Sequence, residues 1–290
     1  MTEKATIGFI GTGVMGESMA RHLMNAGYPV HIFTRTKAKA HTLMEEGAIW
    51  EDSVTNIAKK SDIIITMIGT PKDVEDVYFN SAGLIAHAKQ GTYLIDMTTS
   101  KPSLAKEIYE KAKEKDLHAL DAPVSGGDVG AKNAKLAIMV GGEENVFNEM
   151  LPIFQIMGEN IRLQGPAGSG QHTKAVNQIS IAPAMVGLCE ALMYAKNAGL
   201  DPKEVLASIS TGAAGSWSMD NYAPRMIDGN FDPGFAIKHY IKDMKIALES
   251  AQEMNMQTPG LELALAMYKK LAEKGEGENG IHALLKYYEE

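Results

Sequence analysis

Near the start of the chain, Ile7-Gly8-Phe9-Ile10 runs straight into Gly11-Thr12-Gly13-Val14-Met15-Gly16, and a helical pattern over 18–25 follows. Three glycines in G-x-G-x-x-G spacing, between an apolar strand-like run and a helix, leave few folds open. Gly11 permits a tight turn, Gly13 lets the backbone approach a pyrophosphate, and Gly16 lets helix and strand pack closely. The helix start offers unpaired N–H groups and a positive dipole end to an anion. The pattern predicts a dinucleotide-binding loop that includes Thr12, Val14 and Met15. The plainer alternative is a glycine-rich turn with no ligand.

The rest of the first half fits that loop. Apolar runs of strand length stand at 5–10, 30–33, 63–68, 93–96, 117–122 and 136–140, with helical runs such as 102–115 between them. Continuous apolar strands separated by helices predict a mostly parallel sheet covered on both faces. Character changes near Gly165, where Gly165-Pro166 and Gly168-Ser169-Gly170 break the pattern. A helical run then extends to Ala198, with a kink expected at Pro183. Further helices are expected at 203–210, 219–227, 237–254, 261–274 and 281–288, and no strands. The expected fold is therefore an α/β Rossmann-type dinucleotide-binding domain over 1–164, followed by an all-α domain over 165–290 entered by a long kinked helix.

Composition narrows the partners. Lys plus Arg is 28 against 36 Asp plus Glu, a net charge of -8, which disfavours a nucleic-acid backbone or an anionic membrane. The single cysteine, Cys189, excludes an internal disulfide framework, and no Cys/His cluster suggests a metal. The charge-free run 175–189 falls short of the ~20 apolar residues of a membrane span. No signal peptide precedes the glycine loop, so a cytoplasmic location is expected.

The cofactor is read at the end of the second strand, in Phe33-Thr34-Arg35-Thr36-Lys37. An NAD site usually places an acid about 20 residues beyond the loop, on the ribose 2′-hydroxyl. Here no Asp or Glu occurs between Glu17 and Glu45. Arg35, flanked by Thr34 and Thr36, can instead grip a 2′-phosphate with two hydrogen bonds. NADP(H) is the expected preference and NAD(H) the alternative.

Three later segments carry candidate chemistry. Asp96-Met97-Thr98-Thr99-Ser100 ends a strand, where ligands of open α/β sheets gather. Asp121-Ala122-Pro123-Val124-Ser125-Gly126-Gly127 exposes backbone N–H groups that can bind a carboxylate, unless its glycines serve loop shape alone. In Gly168-Ser169-Gly170-Gln171-His172-Thr173-Lys174-Ala175-Val176-Asn177-Gln178, Lys174 shares a helix face with Asn177 and Gln178. A partly desolvated lysine there can protonate a carbonyl that receives hydride, whereas a solvated lysine on an exposed face is the plain alternative. His172, two residues earlier, points elsewhere. Trp217, Tyr222 and Phe231 are read as core aromatics.

In this order the segments closely resemble the β-hydroxyacid dehydrogenase family, which includes 3-hydroxyisobutyrate dehydrogenase, tartronate semialdehyde reductase and glyoxylate/succinic semialdehyde reductase. The resemblance spans nearly the whole chain. The family's cofactor loop matches Gly8 to Gly16, its Asp-x-Ser/Thr-Thr element Asp96 to Thr99, and its substrate loop Asp121 to Gly127. Its catalytic helix matches Gly170 to Gln178, and its late Lys-Asp pair matches Lys242-Asp243. The resemblance implies that Lys174 is the general acid/base and that Thr99 lies between nicotinamide and substrate. It places Ser125, Gly126, Gly127, Asn177 and Gln178 on a small carboxylate-bearing substrate. It places Met67, Ile68, Gly69, Asp73 and Lys242 beside the cofactor. Many members carry Asn at the position of Gln178, although tartronate semialdehyde reductases share the Asn-Gln pair. A glycine common after the substrate loop is Ala134 here, and several members have proline in place of Gly69.

The implied activity is hydride transfer between NADP(H) and a small β-hydroxy acid or its semialdehyde. An imine reductase-like enzyme is a rival, but those enzymes usually lack the lysine that Lys174 supplies. A non-catalytic dinucleotide-binding module is another, but it has no need of Lys174, the following amide and Lys242-Asp243 together. The apolar helices of the second half imply a homodimer or homotetramer.

Overall fold

The computed structural model describes residues 4–289. The chain divides into two compact units, one ending at Lys174 and the other beginning at Ala175.

The first unit is built on one nine-stranded sheet. Its strands are β1 (Ile7–Ile10), β2 (Val30–Phe33), β3 (Ile49–Trp50), β4 (Ile63–Thr66), β5 (Tyr93–Asp96), β6 (His118–Asp121), β7 (Val124–Ser125), β8 (Leu136–Gly141) and β9 (Gly158–Gly165). They lie in the order β3-β2-β1-β4-β5-β6-β8-β7, with β9 also pairing β8. The first six are parallel, and β8 runs antiparallel to β6 and β7. This order reverses between β1 and β4, which opens the crevice where open α/β sheets bind ligands. Alternate residues feed two cores: Ile7, Phe9, Ile63 and Ile65 on one face, Ile10, Ile64 and Leu94 on the other. That double burial explains why these strands read as unbroken apolar runs. β9 was not expected, because Glu159, Asn160, Arg162 and Gln164 break any such run.

The helix Ser169–Asn197 passes through Pro183 as one element. Its start is anchored in the first unit, since Asp121 accepts from the N–H groups of Gly168 (2.7 Å) and Gln171 (2.8 Å). A Cβ on Gly170 would stand 2.3 Å from the Met139 carbonyl oxygen, so only glycine allows that approach. The compact units part after Lys174, a few residues into this helix. By length and composition alone this helix could cross a membrane, which its charge-free run did not suggest. Ala182, Met185, Cys189 and Leu192 on it join the core of the second unit.

That unit holds the helices Pro202–Ile209, Trp217–Ile227, Ile237–Glu253 and Pro259–Glu273. Ile281–Tyr288 is 3₁₀ rather than α: the N–H of Ile281 bonds the Phe235 carbonyl, and Ile281 through Leu285 are all buried. Tyr240 and Tyr268 meet edge to face at the centre, 5.2 Å apart. Trp217 is not a core residue, being 59% exposed at the start of its helix, where its ring meets that of Tyr222 edge to face.

Candidate active site

The glycine loop closes the β1 end of the crevice. Gly11 has φ +100, and a Cβ there would lie 2.2 Å from the Met67 carbonyl oxygen, so the loops after β1 and β4 touch through bare backbone. A Cβ on Gly16 would stand 1.9 Å from the Gly11 carbonyl oxygen, which fixes the helix Val14–Asn25 tightly against the turn. Gly13 is different, because nothing lies within 4 Å of where its Cβ would be. No side chain caps the helix start there, and the buried Thr12 hydroxyl has no hydrogen-bond partner. Open space, uncapped N–H groups and an orphaned hydroxyl fit the pyrophosphate of a dinucleotide.

Arg35, beyond β2, is 80% exposed and donates to Asp73 at 2.8 Å. The other Asp73 oxygen accepts from the Thr70 N–H and hydroxyl, forming a capping box at the helix Pro71–Phe79. Two residues expected beside the cofactor thus pair with each other. Ile68, with Met67 and Gly69 in the loop after β4, donates its N–H to the Thr98 hydroxyl at 3.0 Å. Gly126 and Gly127 take φ of +131 and +62, conformations that favour glycine, and the space over Gly127 is open. Ser125 ends β7 beside them.

Two buried carboxylates face each other in register at the ends of β5 and β6. Asp121 caps the long helix, as described. Asp96 accepts from the Thr66 hydroxyl (2.8 Å) and the Thr98 N–H (3.1 Å). Burial nevertheless pushes its carboxyl up to about 6 from the ordinary 3.8. The folded chain then binds more protons than the unfolded chain between those values. Stability from this group is present below 3.8 and is lost as pH rises through about 6. Asp96→Asn keeps an acceptor oxygen for both donors and does not titrate, so its stability relative to the parent should be greater at pH 8 than at pH 4 by about 3 kcal/mol. Thermal melts showing the same difference at both pH values would refute this.

Gln171, in the first turn of the long helix, holds the segment after β5. Its amide accepts from the Ser100 N–H (2.9 Å) and donates to the Thr98 carbonyl (2.8 Å). Thr98 and Ser100 are buried, and Thr99 between them is half-buried. Lys174, the next helical position on that face, is only 7% exposed, which removes the solvated-lysine alternative.

In the second unit, Gln178 is buried with both amide ends engaged. Its oxygen accepts from Asn177 (2.8 Å) and its nitrogen donates to Asp243 (2.6 Å). Lys242 lies 3.0 Å from the other oxygen of Asp243. Sequence reasoning named Asp243 only as the partner of Lys242 in the family's pair and gave it no role of its own; it is buried and joins the amide pair to the late lysine. Its place beside Lys242 was the available signal, but no local rule says which carboxylate meets Gln178.

Residues 6–165 match the family described as the NAD binding domain of 6-phosphogluconate dehydrogenase. Residues 168–288 match that described as NAD-binding of NADP-dependent 3-hydroxyisobutyrate dehydrogenase. The chain belongs to the β-hydroxyacid dehydrogenase family. Among relatives of this family, it is 61% identical over 285 residues to the oxidoreductase YkwC of Bacillus subtilis, covering 98% of this chain and 99% of that protein. It is 49% identical over 280 residues to 3-hydroxyisobutyrate dehydrogenase-like protein 1 of Arabidopsis thaliana, covering 96% of this chain and 84% of that protein. Among solved structures, 3-hydroxyisobutyrate dehydrogenase of Mycobacterium tuberculosis with L-serine matches with a TM-score of 0.91 at 28% identity, over 99% of each chain. As a β-hydroxyacid dehydrogenase, the chain is an NAD(P)-dependent oxidoreductase of hydroxyacids.

Proposed function

We propose that the chain interconverts a small β-hydroxy acid and its semialdehyde, with NADP(H) as the preferred cofactor and Lys174 as the proton-transferring group. The observation that carries this reading is the buried Lys174, one turn into a helix whose first N–H groups are held by Asp121. The bound nicotinamide supplies hydride in reduction and takes it in oxidation. Lys174 Nζ gives a proton to the carbonyl oxygen in reduction and accepts it in oxidation. Backbone N–H groups at Gly126 and Gly127, with the Ser125 hydroxyl, hold the substrate carboxylate, and Thr99 flanks the reacting carbon.

The cofactor preference rests on Arg35. Its ion pair with Asp73 is largely solvated on the arginine side, and such pairs contribute only about 0–1 kcal/mol. A 2′-phosphate, with more charge and three acceptor oxygens, therefore competes well for the guanidinium. Kinetics on a panel of carboxylate-bearing aldehydes should favour NADPH over NADH by roughly 10- to 100-fold in kcat/KM. Arg35→Asp should reverse that order. Equal values for the two cofactors in the parent chain would sink the preference, and no turnover across the panel would sink the activity.

A further inference from the structure

Resting on that reading of Lys174 and Thr99, we propose that Gln171 is a positioning residue: its amide holds both peptide groups flanking Thr99 and so sets Thr99 against Lys174. Gln171 is 1% exposed, yet both ends of its carboxamide are used on backbone, the oxygen on the Ser100 N–H and the nitrogen on the Thr98 carbonyl. One side chain thus pairs with a chain segment as the peptide of a neighbouring strand would. The segment is tied from its other side as well, by Asp96 on the Thr98 N–H and by the Thr98 hydroxyl on the Ile68 N–H. These bonds restrain the backbone on both sides of Thr99.

The anchor is shared with the proton donor. Gln171 gives its own N–H to Asp121, and Lys174 follows at i+3 on the same helix face. Movement of the loop away from the helix must break the two amide bonds, and a half-turn slip of the helix must break them too. The spacing between Thr99 and Lys174 is therefore set by a residue that takes no part in the chemistry. Displacements of about 1 Å at reacting groups can cost on the order of 10²-fold in rate, so such a clamp should be read in kcat.

Gln171→Met keeps length and apolar fit but loses both bonds. Gln171→Glu keeps an acceptor for Ser100, but its ionised form sets a second acceptor against the Thr98 carbonyl; only the protonated acid can donate there. Each variant is measured as full-length enzyme beside the parent and Lys174→Ala, with the same aldehyde. The expected result for Gln171→Met is a kcat lower by roughly 10- to 100-fold, with KM and the NADPH dissociation constant changed by less than about threefold. Gln171→Glu should be impaired at pH 8 and should recover kcat as the pH falls, relative to the parent at each pH. A folded Gln171→Met with parental kcat, or one losing cofactor affinity and kcat together, would overturn the proposal. So would a Gln171→Glu whose pH profile parallels the parent's, even if the methionine variant does not fold. If Lys174→Ala keeps its kcat, the underlying reading of the site fails instead.

Discussion

Lys174→Ala and Lys174→Arg are each expected to lower kcat by about 10²–10⁴-fold, the usual contribution of a general acid. Hydride reaching a carbonyl carbon leaves charge on the oxygen, and a positioned acid must neutralise it. Arginine keeps the positive charge but does not readily release a proton, its pKa lying above ~12. The two variants should therefore fail alike, which separates proton transfer from electrostatic attraction. NADPH affinity should hardly change, because the glycine loop and Arg35 stand on β1 and β2 while Lys174 stands on the helix that Asp121 anchors beyond β6. Single-turnover kinetics and fluorescence titration measure the two quantities separately. Near-parental kcat in Lys174→Ala would mean that water or another group supplies the proton. Parallel loss of kcat and NADPH binding would make Lys174 a cofactor residue.

Gly13→Ala and Gly16→Ala should both lower turnover at sub-saturating NADPH, for opposite reasons. The protein leaves the Gly13 Cβ position empty, so a methyl group there meets only the ligand. Gly13→Ala should keep its melting temperature and weaken NADPH binding by at least about tenfold, equivalent to ~1.4 kcal/mol. At Gly16 the added Cβ would lie 1.9 Å from the Gly11 carbonyl oxygen, a backbone atom that cannot swing aside. Overpacking of this kind typically costs about 1–3 kcal/mol or more, so Gly16→Ala should melt well below the parent even without cofactor. Calorimetry on the apo proteins tells the two apart. Equal melting temperatures in both variants would show that Gly16 has more room than the turn allows.

Much of the first unit was legible in the chain because its signals are local. Residues 30–33 and 93–96 read as strands to the residue, since each is a short β-rich run whose apolar side chains pack into the core beside the sheet. The three loop glycines were equally legible, each demanded by a contact or an opening a few ångströms away. β9 was not, because its polar residues hide a strand that only the pairing with β8 creates.

The family motifs placed Lys174 and Thr99, but not how they are held. The Gln171 bonds span 71 and 73 residues and the Gln178–Asp243 bond spans 65. Nothing in the neighbourhood of either glutamine names its partner. The same holds for Arg35 and Asp73, 38 residues apart, which were both assigned to cofactor before the fold paired them. By itself, then, the sequence determined the strand and helix periods, the dinucleotide loop and the lysine proposed as proton donor, because backbone conformation and side-chain chemistry are properties of a few adjacent residues. Only the tertiary structure decided that the long helix begins inside the first unit, that Lys174 is buried, and which amide holds which loop. Hydrogen-bond partners and solvent exclusion depend on groups brought together by folding, and chain order does not encode those distances locally.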